Sequence, residues 1–263
     1  MKQLAIIFLC LNLGACSFGS TAYKYFDFIV LWYASDYVSL EKEQKALLTK
    51  ASNEFIEWHK ANELSKYQAL LDAFRQDIKQ QSITPSKADE YRQEVRLLLS
   101  NIRHYLGPNL APLLAQLSDK QYQQVAKNLR EQVSRSQQKE TSIESRLEQI
   151  IENTEQWYGP LNEAQLAIIQ KVNLKRQRQI SRWQAQDQDW LASFDIGIEQ
   201  VGEKRVEMIK DLLLKSLTPS NNSEYSEKED WFAVWQLANA KQRGAIIKKL
   251  NEYQELLNDI TED

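Results

Sequence analysis

The sequence predicts an all-α protein, an elongated helical bundle built around a long central antiparallel helical hairpin. Three observations carry that reading. Glycine and proline are scarce, at seven and five of 263 residues, while Gln, Glu, Lys, Leu and Ala, all good helix formers, dominate. Apolar residues recur at helical spacing along nearly the whole chain, with no useful stretch of period two. Two successive heptad series face each other across Gly159-Pro160.

The chain opens with the parts of a signal peptide: basic Lys2, an apolar run from Leu4 to Leu13, then small Gly14 and Ala15 before Cys16. The apolar run is too short for a permanent span, which needs about 20 residues. Leu13-Gly14-Ala15-Cys16 resembles the lipobox cut by lipoprotein signal peptidase, so residues 1–15 are expected to leave and Cys16 to carry lipid. Cleavage would leave 248 residues with a net charge of −4 and Cys16 as the sole cysteine, so no intramolecular disulfide can form. Interspersed charges of both signs, 26% of all residues, describe a solvated surface and exclude nucleic acid as a partner. Residues 16–22 would form a short lipidated tether. Ser17 stands where retention in the inner membrane usually requires aspartate, which points to the outer membrane, periplasmic face.

Residues 23–106 read as an N-terminal helical group. Tyr23 to Tyr33 is the most apolar stretch after the signal, and two readings stay open: a first core helix, or an aromatic belt resting on the membrane interface. Leu40, Leu47, Leu48, Ala51, Phe55 and Trp58 form the stripe of one amphipathic helix, and Leu64, Tyr67, Leu70, Leu71, Phe74 and Ile78 that of a second. Tyr91, Val95, Leu98, Leu99, Ile102 and Leu106 form a third, which Gly107-Pro108 is expected to stop.

Residues 107–263 read as the long hairpin plus C-terminal helices. Tyr122, Leu129, Ser136, Ile143, Ile150 and Trp157 lie seven apart, predicting one long helix, and Leu166, Asn173, Ile180, Asp187 and Phe194 mark its return. Glu140 and Glu144 would then come near Lys175 and Arg176, as incidental pairs on solvated faces. Residues 218–223 are a loop by composition, and two last helices close the bundle.

Three segments share a Leu-x-x-x-Gln pattern at a helix start: Leu40 to Gln44, Leu117 to Gln121, and Leu161 to Gln165. An aromatic–Tyr or His–Tyr pair lies upstream each time, suggesting a degenerate internal repeat. Ser118 with Gln121 and Asn162 with Gln165 have capping-box spacing, in which the cap side chain and the glutamine satisfy each other's backbone N–H groups. Glu41 departs from this pattern at the first copy. The segments resemble the LTxxQ motif of the Spy/CpxP family of periplasmic stress chaperones, five residues at a time. Trp32-Tyr33-Ala34-Ser35-Asp36-Tyr37-Val38, with Leu40, Gln44 and residues 58–67, resembles the opening of an uncharacterised family of proteobacterial outer-membrane lipoproteins, a domain of unknown function. That resemblance implies location without chemistry.

His59 and His104 are the only histidines, no paired metal-ligand spacing occurs, and the single mature thiol is expected to be acylated. His59 and Glu63, four apart, read as an exposed helix pair. The sequence therefore predicts no catalytic residues, no metal and no cofactor. It predicts a non-enzymatic, lipid-anchored interaction or scaffold protein of the cell envelope, partnered by the membrane through Cys16 and by an envelope protein, with a Spy/CpxP-like chaperone as the alternative.

Overall fold

A computed structural model describes residues 21–138, 142–217 and 227–262. The elements are α1 (Phe26–Ser35), α2 (Lys42–Asn62), α3 (Leu64–Gln80), α4 (Pro85–Ala115), α5 (Asp119–Gln138), α6 (Ile143–Tyr158), α7 (Glu163–Ile198), α8 (Gly202–Ser216), α9 (Lys228–Gln236) and α10 (Ala240–Glu262). There is no strand among the described residues, and the all-α class is as expected.

The central hairpin is present, with its outgoing arm in two pieces. Both α5 and α6 run against α7. Ser142 caps α6 by accepting from the Ser145 N–H, so a new helix begins there, while residues 139–141 lie outside the described part. A heptad pattern sets which face points inward at each position, and a break between in-phase segments leaves that pattern intact. Of the cations expected to come near Glu140 and Glu144, Lys175 bonds Asp230 and Arg176 bonds Glu227, both from outside the hairpin. Glu140 lies outside the described residues.

The expected stop at Gly107-Pro108 does not occur. Helix α4 continues through Pro108 and Pro112 to Ala115, so the division drawn between residues 106 and 107 falls inside one helix. An interior proline removes one backbone bond and costs about 3 kcal/mol. Here packing against α8 offsets that cost: Leu114 joins Phe194, Ile198 and Ile209 in a buried cluster, and Gly107 lies against Leu214.

The fold is an internal duplication. Residues of the first half recur about 121 positions later: α1 corresponds to α6, α2 and α3 to α7, α4 to α8 with α9, and α5 to α10. Val125, Ala126 and Leu129 match Ile246, Ile247 and Leu250, and Phe74 and Ile78 match Phe194 and Ile198. The halves exchange helices. Helix α5 of the first packs Tyr122 and Ala126 on Phe194 and Ile198 of the second, while α10 of the second packs Ile246 and Leu250 on Ile78 of the first. Reciprocal exchange of this kind is the signature of a two-fold interface, here within one chain.

One copy is interrupted where the other is not. Between the matched positions 44 and 74 the first copy holds one residue more than the second, and α2 gives way to α3 at Glu63. In a 3.6-residue helix an extra residue rotates all later positions by about 100°, so a break there restores the phase of Phe74 and Ile78.

Helices α7 and α8 approach closely at Gly197. A Cβ there would lie 2.7 Å from Ile209 Cδ1, and Ile209 is fully enclosed. Gly197→Val should therefore cost about 1–3 kcal/mol through overpacking. Gly107→Ala, whose Cβ would rest at an ordinary 3.4 Å from Leu214 Cδ1, should be close to neutral. Urea denaturation of the two variants checks the contrast.

Candidate functional site

The Leu-x-x-x-Gln segments do start helices, and their glutamines do more than cap. Gln121 Oε1 accepts from the Ser118 N–H at 2.9 Å while Ser118 Oγ accepts from the Gln121 N–H at 3.3 Å. Asn162 and Gln165 repeat this at 3.1 and 2.9 Å. At the first copy Gln44 Oε1 still accepts from the Glu41 N–H at 2.8 Å, so the departure at Glu41 leaves the motif's geometry in place. A capping box asks of its third residue only an acceptor that reaches back.

The side-chain amides then meet in pairs. Gln44 and Gln121 exchange two bonds, Nε2 of each donating to Oε1 of the other at 3.0 and 2.7 Å. Gln44 also donates to the Gln116 carbonyl and Gln121 to that of Ser39. Gln165 pairs in the same way with Gln242, at 3.3 and 2.8 Å, the two donating further to the carbonyls of Val234 and Pro160. Gln242 escapes the Leu-x-x-x-Gln pattern. Its signal is the cap spacing Asn239-x-x-Gln242, which is formed, but Ala238 stands in the leucine's place. Each pair spans 77 residues, and the second pair repeats the first.

All four glutamines are buried, Gln165 completely. In each, the amide oxygen accepts at least twice and the nitrogen donates twice, so no valence is left to the apolar surroundings. Leu40, Leu117 and Leu161 are half-buried beside them. The glutamines of the motif thus form two internal locks and are themselves withdrawn from solvent.

A second polar constellation joins α1, α2 and α3. His59 lies between two tyrosines, Nδ1 bonded to the Tyr23 hydroxyl and Nε2 to that of Tyr67 at 2.8 Å. A neutral imidazole offers one donor and one acceptor, and the hydroxyls match either tautomer. Burial pushes the His59 pKa down to about 4, against a smaller upward pull from Glu63. The tyrosine pKa values are raised, chiefly by the same burial. The expected exposed pair of His59 and Glu63 is not formed. Glu63 is buried and turned away, accepting from Lys66 at 2.8 Å and from Asn101 at 3.1 Å. Around the histidine, Phe55 contacts Phe26, Trp58 and Tyr105, and Trp58 stacks on Tyr105 at 4.2 Å between ring centroids.

The corresponding place in the second copy is ionic. Arg176 stands 121 positions after Phe55, and it holds Glu227 in a bidentate pair at 2.8 and 2.6 Å that the Trp231 indole N–H also joins. Lys171 and Lys175 both reach the buried carboxylate of Asp230. Burial pushes the pKa of Glu227 and of Asp230 up, and the cations overcome it, so both stay below the usual carboxylate range. Arg205 is likewise engaged, with Asp119, with the Gln200 carbonyl and over the Tyr122 ring, on the wall of an open cleft of about 540 Å³ between α4 and α8.

Among the described residues no group of His, Cys, Asp and Glu side chains is arranged to hold a metal ion, and no helix is long and apolar enough to cross a membrane. Cys16 lies outside the described residues. The fold and these clusters define a class: a duplicated all-α bundle whose buried polar side chains fasten its own helices to one another. The chain belongs to DUF6279, a family of unknown function whose sequence profile matches residues 36–219. No curated protein and no solved structure matches it.

Proposed function

We propose that this chain is a lipid-anchored protein of the cell envelope, held through Cys16 at the periplasmic face of the outer membrane and acting by binding other envelope proteins without catalysing a reaction. The observation that carries the non-enzymatic reading is the use made of the chemically capable side chains. The four lock glutamines satisfy one another, both ring nitrogens of His59 are bonded to Tyr23 and Tyr67, and Glu63, Glu227 and Asp230 are held by amide or cationic partners. Groups so engaged hold a frame together; a substrate would have to displace them. The address rests on the lipobox-like Leu13-Gly14-Ala15-Cys16 and on Ser17. A chaperone role through the Leu-x-x-x-Gln segments loses its motivation, because the glutamines point inward to each other.

The anchor is tested by membrane fractionation with labelled palmitate. Wild-type protein should take up label and stay with membranes through washes that strip peripheral proteins, since each buried lipid methylene contributes about 0.8 kcal/mol. Cys16→Ser should take up none. A wild-type chain without label, recovered in the soluble periplasmic extract, would overturn the address. Binding is tested by recovery of a specific partner from cross-linked envelopes, and a client-aggregation assay at several-fold molar excess should show no protection.

A further inference from the structure

We propose that the outer face of α1 lies on the surface of the bilayer that holds the anchor, with Tyr25, Phe28 and Trp32 in its interfacial region. This inference rests on the anchor reading above. Helix α1 is apolar on both sides: Phe26 stacks on Phe55 of α2 at 5.5 Å, and Tyr23, just before the helix, is bonded to His59. That side is the core contact. On the other side Tyr25, Phe28 and Trp32, spaced three and four apart, form one stripe with exposures of 53, 66 and 62%. Every large aromatic side chain that is exposed among the described residues belongs to this stripe; the other exposed apolar residues are aliphatic and scattered over α4, α6, α7 and the connections. A helix apolar on both sides calls for a second apolar medium.

Two further observations select a bilayer as that medium. In a chain cleaved before Cys16 and acylated there, only residues 17–20 separate the lipid from Thr21. That tether reaches about 18 Å when fully extended, so Thr21 stays within that distance of the membrane surface and α1 is kept beside it. The stripe also has interfacial composition, since Trp and Tyr favour the headgroup level and exposed Lys24 at its membrane-proximal end suits anionic headgroups. A protein partner or a second copy of the chain would need no such placement beside the anchor.

The test uses the full-length lipidated protein in vesicles of phosphatidylethanolamine and phosphatidylglycerol containing a shallow nitroxide-labelled lipid. Phe28→Cys carries a fluorophore, and Leu174→Cys and Ile196→Cys, at exposed apolar positions of α7, serve as controls. An interfacial side chain sits roughly 5–10 Å deep, so the label at position 28 should lose at least about half its emission while the controls stay bright. Palmitate uptake with equal emission at all three positions would overturn the membrane contact and leave the anchor standing. Energy transfer between labels at position 28 on different molecules, without quenching, would overturn it in favour of self-association. Should palmitate not be incorporated, the anchor reading fails, and the inference falls with it unless flotation and quenching at position 28 persist without the lipid.

Discussion

Gln165→Ala is expected to destabilise the protein by about 3 kcal/mol, more than most polar-to-alanine changes. The Asn162 N–H loses the acceptor that completes its capping box, the Val234 carbonyl loses its donor, and Gln242 loses one bond at each end of its amide. Loss of the box contributes about 1 kcal/mol, and orphaned polar groups at a site with no water access add about 1–3 kcal/mol. Gln242→Ala should cost a similar amount, and the double variant should fall short of the sum by at least about 1 kcal/mol, because the second change removes groups already left unpaired. Gln44→Ala should cost less, since Gln44 and Gln121 retain slight exposure and water can replace part of what is lost. Urea denaturation followed by far-UV circular dichroism gives all four values. Strict additivity would show that the amides cap their own helices and do not hold each other.

The second large effect is a loss of stability in mild acid that resides in one side chain. The His59 pKa is about 4 in the fold, against 6.5 for a solvated histidine, so the unfolded chain binds the proton more readily. Its contribution to stability is complete above pH 6.5, declines as pH falls between the two values, and is gone below about pH 4. At 1.36 kcal/mol per unit, discounted for partial solvent access, the drop between neutral pH and the lower end of that range should be about 2–3 kcal/mol. The Tyr23 and Tyr67 hydroxyls bond the ring, Lys60 lies over Tyr23, and Glu63, paired with Lys66, is the charge that favours the imidazolium. His59→Phe should remove this part of the pH dependence. Carboxylate titrations are common to both proteins, so the difference between their stability–pH curves isolates the histidine. Parallel curves would mean that the ring is solvated.

What the sequence reveals is local. The stripes of α2 and α3, the turn at Gly159-Pro160 and the caps at Ser118 and Asn162 each depend on residues within a few positions of one another, and periodicity or cap spacing reports such features directly. The lock partners stay hidden, because a hydrogen bond spanning 77 residues leaves no mark beside either amide. The spacing of Leu40 from Leu161, equal to that of Gln121 from Gln242, does hold the clue to a duplication, but with Ala238 replacing leucine the fourth segment does not match the pattern. His59 pairs in sequence with its helix neighbour Glu63, because the chain gives no sign that Tyr23, 36 residues earlier, returns to it. The continuation of α4 through two prolines is a decision of tertiary packing against α8, which local propensity opposes. For Tyr23 to Tyr33 composition alone allows core or membrane, and one face of α1 answers the first reading by packing on α2.

The exchange of α5 and α10 between the halves governs the order in which the molecule can assemble. Neither half of the chain contains all of its own core. The cluster around Ile78 lacks Ile246 and Leu250 until the final helix has been made, and that around Leu64 waits for Leu256 and Ile260. Contacts so distant along the chain must meet the entropy of closing a very long loop before they return any stabilisation, which slows folding. During synthesis the first half therefore exposes Leu71, Phe74 and Ile78 for nearly the whole time the ribosome takes to finish the chain. Truncation within α10 strips the first half of its core, far from the cut in sequence, while the helices nearest the cut keep much of theirs.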